Sequence, residues 1–160
     1  MTVYHGGTEI VKYPKIIKTY TGRDFGSGFY TTDIQDQAIK WAKRQARYRN
    51  KPEAILNAYA LDENVFQQLK ILKFDKYSLD WLDFVVSCRK DAGFVHDYDI
   101  IIGKIANDDV GETIQAVVDG LTPKDYALSK LSFMQANNQI CFSTDYSLRY
   151  IKFIFAERVY

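Results

Sequence analysis

Three separated segments of the chain carry side chains whose types and spacing could support shared chemistry. They are Tyr4–Gly6, Asp24–Asp33 and Asn137–Phe142, and Trp41 follows the second segment eleven residues after Tyr30. Aromatic faces can hold a flat ring, glycine lets a ligand approach the backbone, and imidazole and amide groups can hydrogen-bond hydroxyls. Each segment alone is typical of a turn, a glycine loop or a core aromatic. Their order and spacing favour one shared binding site.

Together the segments resemble the ADP-ribosyltransferase superfamily, in the branch shared by diphtheria toxin and the poly(ADP-ribose) polymerases. That branch carries His-Gly on its first strand, a phrase like F-G-x-G-[IF]-Y before a helix, a second aromatic in that helix and an acidic residue on a late strand. His5-Gly6, Phe25–Tyr30 and Trp41 match the first three features, and the resemblance runs from residue 4 to about 155. The chain is also similar to an uncharacterised bacterial family usually grouped with this superfamily, including its segment at 98–109.

The resemblance implies that NAD is the substrate and that the site breaks its bond to nicotinamide. Tyr30 and Trp41 would sandwich the nicotinamide ring, and the backbone N–H and C=O of Gly6 would pair with its carboxamide. His5 would hydrogen-bond a ribose hydroxyl, and Thr31 could bond the same ribose. Loss of nicotinamide leaves a positively charged ribose, which the family stabilises with a carboxylate that binds the 2′-hydroxyl.

The chain departs from the family pattern on the late strand, where an amide replaces the expected glutamate. We align Gln139 with that position, and a shift of one residue selects Asn138 instead. An amide can hold the 2′-hydroxyl but carries no charge, and the loss could raise the barrier by about 2–4 kcal/mol. The resemblance therefore implies slow mono-ADP-ribosylation, with His5, Tyr30 and Gln139 as catalytic residues, or NAD binding without turnover. It also predicts that Gln139→Glu keeps or raises NAD cleavage.

The sequence does not carry the motifs of several other kinds of site. Gly26–Thr31 resembles half of a dinucleotide fingerprint, but Thr31 stands where a third Gly or Ala is needed and no long strand precedes it. The sequence has no Gly-Lys-Ser/Thr for a phosphate-binding loop and no G-x-S-x-G nucleophile motif. Its two histidines and two cysteines, without C-x-x-C spacing, predict no metal site.

Composition restricts the class of protein. The chain has 160 residues and is 47% hydrophobic, which predicts one folded domain over 1–160. Its 21 basic and 20 acidic residues nearly balance, so net charge alone gives no argument for a polyanionic partner, and local charge must be considered instead. It contains no run of 18 apolar residues, so we expect no membrane span and no membrane partner. The first residues lack a basic and an apolar signal region. We therefore expect a cytoplasmic protein with reduced thiols at Cys88 and Cys141.

The elements that must position the three segments follow from periodicity and from breakers. Thr32 as N-cap, Gln35 in the capping-box position and Pro52 as terminator predict a helix that carries Trp41. We expect strands at 2–5, 29–31, 54–61, 71–74, 99–103, 139–142 and 151–155, and further helices at 78–92, 109–119, 124–133 and 144–150. Short strands mixed with helices predict an α+β fold, with a doubly wound parallel sheet as the alternative. The resemblance implies ADP-ribosyltransferase-like split antiparallel β-sheets with peripheral helices and NAD in the cleft between them.

One face of the helix that carries Trp41 has a basic stripe, defined by Lys40, Lys43, Arg44, Arg47 and Lys51. A solvated helix face is the ordinary interpretation of such a stripe. The sharper interpretation is a phosphate-contacting surface for RNA or DNA, with Tyr48 available to stack on a base.

The function predicted from these features is transfer of one ADP-ribose from NAD to a macromolecular target, RNA, DNA or protein. The biology that fits is that of a bacterial toxin in a toxin–antitoxin pair, with an antitoxin protein as a further partner. A catalytically weak or inactive NAD- or nucleotide-binding interaction module is the alternative from another class. RNA 2′-phosphotransferase chemistry is a third, and it would need several basic residues in the cleft.

Overall fold

The computed structural model describes residues 1–18, 22–105, 108–131 and 137–160. Those ranges contain seven strands, five α-helices and a 3₁₀ helix at Glu63–Gln68. The strands are β1 (Thr2–Gly7), β2 (Phe29–Thr31), β3 (Ile55–Leu61), β4 (Ile71–Lys73), β5 (Ile100–Gly103), β6 (Gln139–Phe142) and β7 (Ile151–Arg158). The helices are α1 (Gln35–Tyr48), α2 (Leu79–Lys90), α3 (Asp108–Val118), α4 (Lys124–Leu131) and α5 (Asp145–Leu148).

The strands form two separate sheets, so the fold is mixed α+β. The first sheet has the order β1-β3-β7 and is antiparallel throughout, and the second has the order β2-β6-β5-β4. In the second sheet β2 and β5 run antiparallel to β6, whereas β4 and β5 run parallel. The expectation of purely antiparallel sheets is therefore wrong for one pair. The reason is that α2 connects β4 to β5, and such a crossover returns the chain in the same direction.

Two layers of apolar side chains hold the sheets and helices together. The core between the sheets takes Val3, Tyr59 and Ile151 from the first sheet and Phe29 and Phe142 from the second. The other face of the second sheet contributes a second core, which packs against α2, α3 and α4 and includes the buried residues Ile101, Cys141, Trp81, Val85, Ile114 and Leu131. The second sheet is thus covered on both faces.

The elements agree with the sequence expectations in type and differ mainly at their ends. The helix expected at 78–92 is α2, and Ser78 is its N-cap, because its side chain accepts a hydrogen bond from the backbone N–H of Trp81. The expected N-cap at Thr32 is wrong: α1 begins at Gln35 after Ile34, and the Thr32 hydroxyl accepts a hydrogen bond from the N–H of Ile34 instead. The last two residues of the helix expected at 124–133 lie outside the described residues.

Among the described residues, each helix is too short or too polar to cross a lipid bilayer.

Candidate functional site

Besides the core that they share, the two sheets are joined in the described residues by an isolated backbone bridge between their edge strands, which does not continue as a ladder. Tyr4 of β1 and Thr32 exchange two backbone hydrogen bonds of 2.7 and 2.9 Å. In a continued antiparallel ladder, Gly6 would pair next with Tyr30. Instead the His5 side chain fills this place, and its Nδ1 lies 2.8 Å from the Tyr30 carbonyl oxygen. The space between β1 and β2, bordered by His5, Gly6 and Tyr30, is called the strand gap below.

The backbone of Gly6 presents a donor and an acceptor to the strand gap. Both polar groups of Tyr4 bond to Thr32, so they point away from β3. Because alternate residues of an antiparallel ladder point the same way, the N–H and C=O of Gly6 also point away from β3. Within the described ranges, neither group of Gly6 has a hydrogen-bond partner. Gly6 is itself buried against α1, so only a ligand that enters the strand gap could bind this donor and this acceptor.

Helix α1 lies directly against Gly6. A Cβ atom at this position would overlap the carbonyl oxygen of Ala38 and lie 2.9 Å from the backbone nitrogen of Ala42, so only glycine fits. The residue before Ala42 is Trp41, whose side chain is 48% exposed. The guanidinium of Arg44 stands 5.4 Å from the centre of the indole. The helix that packs against Gly6 is thus also the helix that carries the exposed Trp41.

His5 is held as a neutral imidazole. Burial lowers its pKa, and the positive charges of Arg23 and Arg49 lower it further, although the bond to the Tyr30 carbonyl opposes the shift. Since a carbonyl only accepts, Nδ1 must carry the proton and Nε2 is left as an acceptor. Nε2 has no hydrogen-bond partner in the described part of the chain and is not sealed from solvent. It can accept a hydrogen bond from a ligand hydroxyl.

Tyr30 closes the glycine loop with its own hydroxyl. That hydroxyl donates to the carbonyl oxygen of Gly26 at 2.7 Å and accepts from the N–H of Phe25 at 3.1 Å, and burial raises its pKa well above the usual value. Gly26 has a φ of +72°, which glycine tolerates best. The guanidinium of Arg23 lies 5.4 Å from the centre of the Tyr30 ring. One face of the Tyr30 ring thus already has a cation over it, and the described contacts do not join Tyr30 to Trp41.

Gln139 belongs to a buried network with Asp24 and Arg89, and these three residues are called the buried network below. The Nε2 of Gln139 donates to Asp24 Oδ2 at 3.2 Å and to the Lys104 carbonyl at 3.4 Å. Asp24 Oδ1 accepts from Arg89 Nε at 2.9 Å and from Arg89 Nη2 at 2.5 Å. The three side chains are nearly inaccessible to solvent. The buried network thus connects β6 to α2 through the segment that precedes β2.

Gln139 and Asn138 occupy different environments. Cys141 pairs with Tyr30 in the sheet, and Gln139, two residues earlier, lies on the same face as Cys141 and Tyr30. The backbone N–H and C=O of Asn138 bond to the Gln37 side chain, and its Nδ2 donates to Asp33. Asn138 lines a shallow groove of about 300 Å³ with Asp33, Ile34, Lys73, Phe74, Asp75, Ile102 and Lys104. Only Gln139 shares a face with Tyr30.

Thr31 does not face a ligand site in this structure. Its side chain is buried, and its hydroxyl donates to the carbonyl oxygen of Ile140 at 3.0 Å. The suggested contact between Thr31 and the ribose is therefore replaced by a contact that fastens β2 to β6.

The basic stripe lies on the outer side of α1. Lys40, Arg44, Arg47 and Lys51 are exposed and Lys43 is half-buried. At the C-terminal end of the helix, Lys43, Arg47 and Lys51 line an open depression of about 570 Å³ with Asn50 and the exposed ring of Tyr160. The stripe is therefore accessible to a large anionic partner.

Sequence reasoning did not identify Asp24 and Arg89 as partners. The two residues lie 65 positions apart, and no short-range pattern connects them. The signal that was present is an arginine directly after the buried Cys88, on a helix face formed by Trp81 and Val85. A cation at that place predicts a buried carboxylate partner but does not say which one.

The thiols and the acidic residues offer no further site of their own. Cys88 and Cys141 are free and buried, and burial raises the pKa of both thiols to about 12. Across the described ranges, His, Cys, Asp and Glu side chains do not form any group of three that could hold a metal ion.

Comparison with known proteins gives a family without a function. No curated protein and no solved structure matches the chain. The model of one family, described as a protein of unknown function (DUF3990), matches residues 1–153. Because this match covers nearly the whole sequence, the chain belongs to the DUF3990 family.

Proposed function

We propose that the protein is a mono-ADP-ribosyltransferase that moves ADP-ribose from NAD to a macromolecular target, nucleic acid or protein. The observation that carries the proposal is the strand gap, where the backbone N–H and C=O of Gly6 have no partner in the described chain and follow His5 in sequence. Helix α1, which carries the exposed Trp41, packs against Gly6. The ADP-ribosyltransferase-like form of the two sheets is part of the same proposal.

The groups in the strand gap complement nicotinamide riboside. A carboxamide has one carbonyl acceptor and an NH₂ donor, which match the N–H and C=O of Gly6. The indole of Trp41 offers a flat face for the pyridinium ring, and a cationic ring gains from such a face. His5 Nε2 can accept a hydrogen bond from a ribose hydroxyl. These contacts hold the substrate before any bond breaks.

In the proposed reaction the bond between ribose C1′ and the nicotinamide nitrogen breaks, and its electron pair leaves with nicotinamide. A nucleophile of the target then forms a bond to C1′ and loses its proton to solvent. Gln139 would stabilise the positive charge on the ribose through its amide oxygen. An amide dipole does this less well than a carboxylate, so we expect slow transfer of one unit.

The proposal is tested with NAD labelled on its adenylate phosphate and with NAD labelled on nicotinamide, each incubated with the protein and a cell lysate. We expect the first label to reach a macromolecule and one nicotinamide to be released for each ADP-ribose transferred. Nuclease and protease treatment of the product then identifies the target class. Absence of macromolecular label and of released nicotinamide would contradict an enzymatic function.

A second candidate function is an NAD-binding module without turnover. The observation that favours it is the absence of a carboxylate on β6, together with the engagement of the Gln139 amide in the buried network. Such a module would bind NAD and nicotinamide but release no nicotinamide over days. Binding and release, measured on the same sample, separate the two functions.

A further inference from the structure

We propose that Asp24 is a positioning residue for Gln139: its carboxylate, held by Arg89, fixes the Gln139 amide so that Oε1 is the atom presented to the ribose. This inference rests on the proposed function, because it assigns the acceptor that Gln139 offers in that reaction. It departs from the sequence expectation, in which Gln139 acts alone.

The two hydrogen-bond partners of the Gln139 side-chain amide determine its orientation. Amide nitrogen and oxygen are placed from their hydrogen-bond partners, and here both partners are unambiguous. The carboxylate Oδ2 of Asp24 and the main-chain carbonyl of Lys104 can only accept, so both must face the Nε2 of Gln139. The two hydrogens of the NH₂ group are thereby used, and the opposite orientation would place oxygen against oxygen twice.

The Oε1 atom of Gln139 has no partner among the described residues. The structure shows no hydrogen bond to this atom from any described residue, and the atom is not sealed from solvent. The rest of the side chain is buried, with only 6% of the residue exposed. Oε1 is therefore an acceptor on the face of the sheet that carries Tyr30, without a partner in the described chain and not fully enclosed.

Arg89 and Asp24 together hold the Gln139 amide in its orientation. Arg89 Nε and Nη2 both donate to Asp24 Oδ1, and the Gln139 amide donates to the other oxygen, Oδ2. Hydrogen bonds to a charged carboxylate are stronger than neutral ones, so the amide is held more firmly than a neutral partner would hold it. The amide dipole then needs no reorientation when charge develops on the ribose, which is the condition for effective electrostatic stabilisation.

The network reverses one expectation from the sequence. In Gln139→Glu, a carboxylate would face both the carboxylate of Asp24 and the carbonyl of Lys104 without a proton between them. Two such acidic groups in contact cannot both be ionised, so one binds a proton and the added charge is lost. We now expect this variant to be slower than the wild type, and to regain activity when Asp24→Asn supplies an NH₂ group.

The test compares the wild type with Asp24→Asn, Gln139→Ala and the double variant, with Asp83→Asn as a matched control. Asp83 is also paired with a cation, Lys124, but on the surface. Asparagine has one acceptor oxygen, which Arg89 takes, so its NH₂ group turns toward Gln139 and reverses that amide. The measurements are the rate of nicotinamide release, the NAD dissociation constant and the denaturation midpoint of each protein.

We expect Asp24→Asn to lower kcat at least tenfold while the NAD dissociation constant stays within threefold. In the Gln139→Ala background the same change should alter kcat less than twofold, because Asp24 acts through Gln139. An Asp24→Asn variant with wild-type kcat would overturn the inference and leave a structural role only. A further tenfold loss in the double variant would also overturn it, because Asp24 would then act on the substrate directly.

An NMR measurement without NAD completes the test. The side-chain NH₂ signal of Gln139, identified by its loss in Gln139→Ala, should show two well-separated, slowly exchanging protons, and Asp24→Asn should abolish that protection. A rapidly exchanging pair in the wild type would overturn the orientation. A protected pair in a wild type that neither binds nor cleaves NAD would instead overturn the proposed function, and the catalytic part of this inference with it.

Discussion

The strand gap and the buried network lie on the two sides of Tyr30 and differ in how their polar groups are satisfied. In the strand gap, backbone groups of Gly6 and the Nε2 of His5 have no partner in the described chain. In the buried network, Asp24 and Arg89 bind each other and the amide nitrogen of Gln139. Polar groups without a protein partner can bind a ligand that reaches them, whereas a satisfied ionic network resists movement. In the proposed function the strand gap binds the ligand, and the buried network holds the Gln139 amide in place.

The largest loss of unfolding free energy should come from a substitution in the buried network. Arg89→Met leaves the Asp24 carboxylate buried without its cation, and loss of one member of such a pair costs about 3–5 kcal/mol of unfolding free energy. The matched control is Lys124→Met, because the pair of Lys124 with Asp83 is about half exposed and contributes no more than about 1 kcal/mol. Urea denaturation measures both. Equal losses in the two variants would mean that the buried network is not tighter than a surface pair.

The next largest loss of unfolding free energy should come from a substitution of Gly6, which borders the strand gap. Gly6→Ala forces a methyl group into the backbone of α1 at Ala38 and Ala42, and we expect a loss of about 3 kcal/mol in unfolding free energy. The control is Gly111→Ala within α3, where a Cβ meets nothing within 4 Å and alanine should stabilise the helix by up to about 1 kcal/mol. Denaturation curves in which Gly6→Ala matches the wild type would show that α1 does not lie against β1 as described.

A smaller effect tests whether a nucleic-acid target approaches from the outer side of α1. Arg47→Glu with Lys51→Glu should lower the slope of log affinity against log salt by about 2 for DNA, if each residue contacts one phosphate. NAD affinity should not change, because these side chains project away from the Ala38 and Ala42 face. Arg44 is left intact since it packs on Trp41.

The control for this experiment reverses two exposed cations elsewhere, Lys76→Glu with Lys90→Glu. If the wild type shows no salt-dependent binding to RNA or DNA, the basic stripe is an ordinary solvated helix face. That result would favour a protein target.

The smallest effect is the pH dependence of stability. Burial lowers the pKa of His5 and of His96 below 6.5, so the unfolded chain binds more protons just below that pH. Stability from this source is complete above pH 6.5 and falls as the pH drops toward the lowered folded values. The slope is at most about 1.4 kcal/mol per pH unit for each histidine. Denaturation of His5→Gln between pH 5 and 7 should show a shallower slope than the wild type, and an identical slope would contradict a neutral His5.

Much of the fold could be predicted because its signals are local. The strands β2 and β6 were expected at the residues where they occur, since short apolar runs there are bounded by glycine and polar residues. The start of α1 was misplaced because the Thr32 side chain has two local uses, and here it bonds Ile34 without beginning the helix. The parallel pairing of β4 with β5 depends on how α2 crosses the sheet, which no segment of sequence specifies.

For the candidate site, the sequence indicated which residues come together but not the contacts that their side chains make. The motifs placed His5, Gly6 and Tyr30 at one junction, but the contacts of each side chain depend on residues far along the chain. Tyr30 uses its hydroxyl within its own loop, and Gln139 binds a carboxylate 115 positions away. Spacing can indicate which residues meet; only the packed structure shows which polar atoms remain available.

The central claim is that NAD binds at the strand gap, and calorimetric titration of the protein with NAD at pH 7.5 tests it most directly. We expect saturable binding that nicotinamide competes with. Trp41→Ala should weaken it about tenfold, in line with the loss of one stacking face. Tyr48→Ala, which removes an 87% exposed ring from the same helix, should leave it unchanged. Absence of saturable binding at millimolar NAD, or equal affinity in Trp41→Ala and the wild type, would contradict the claim.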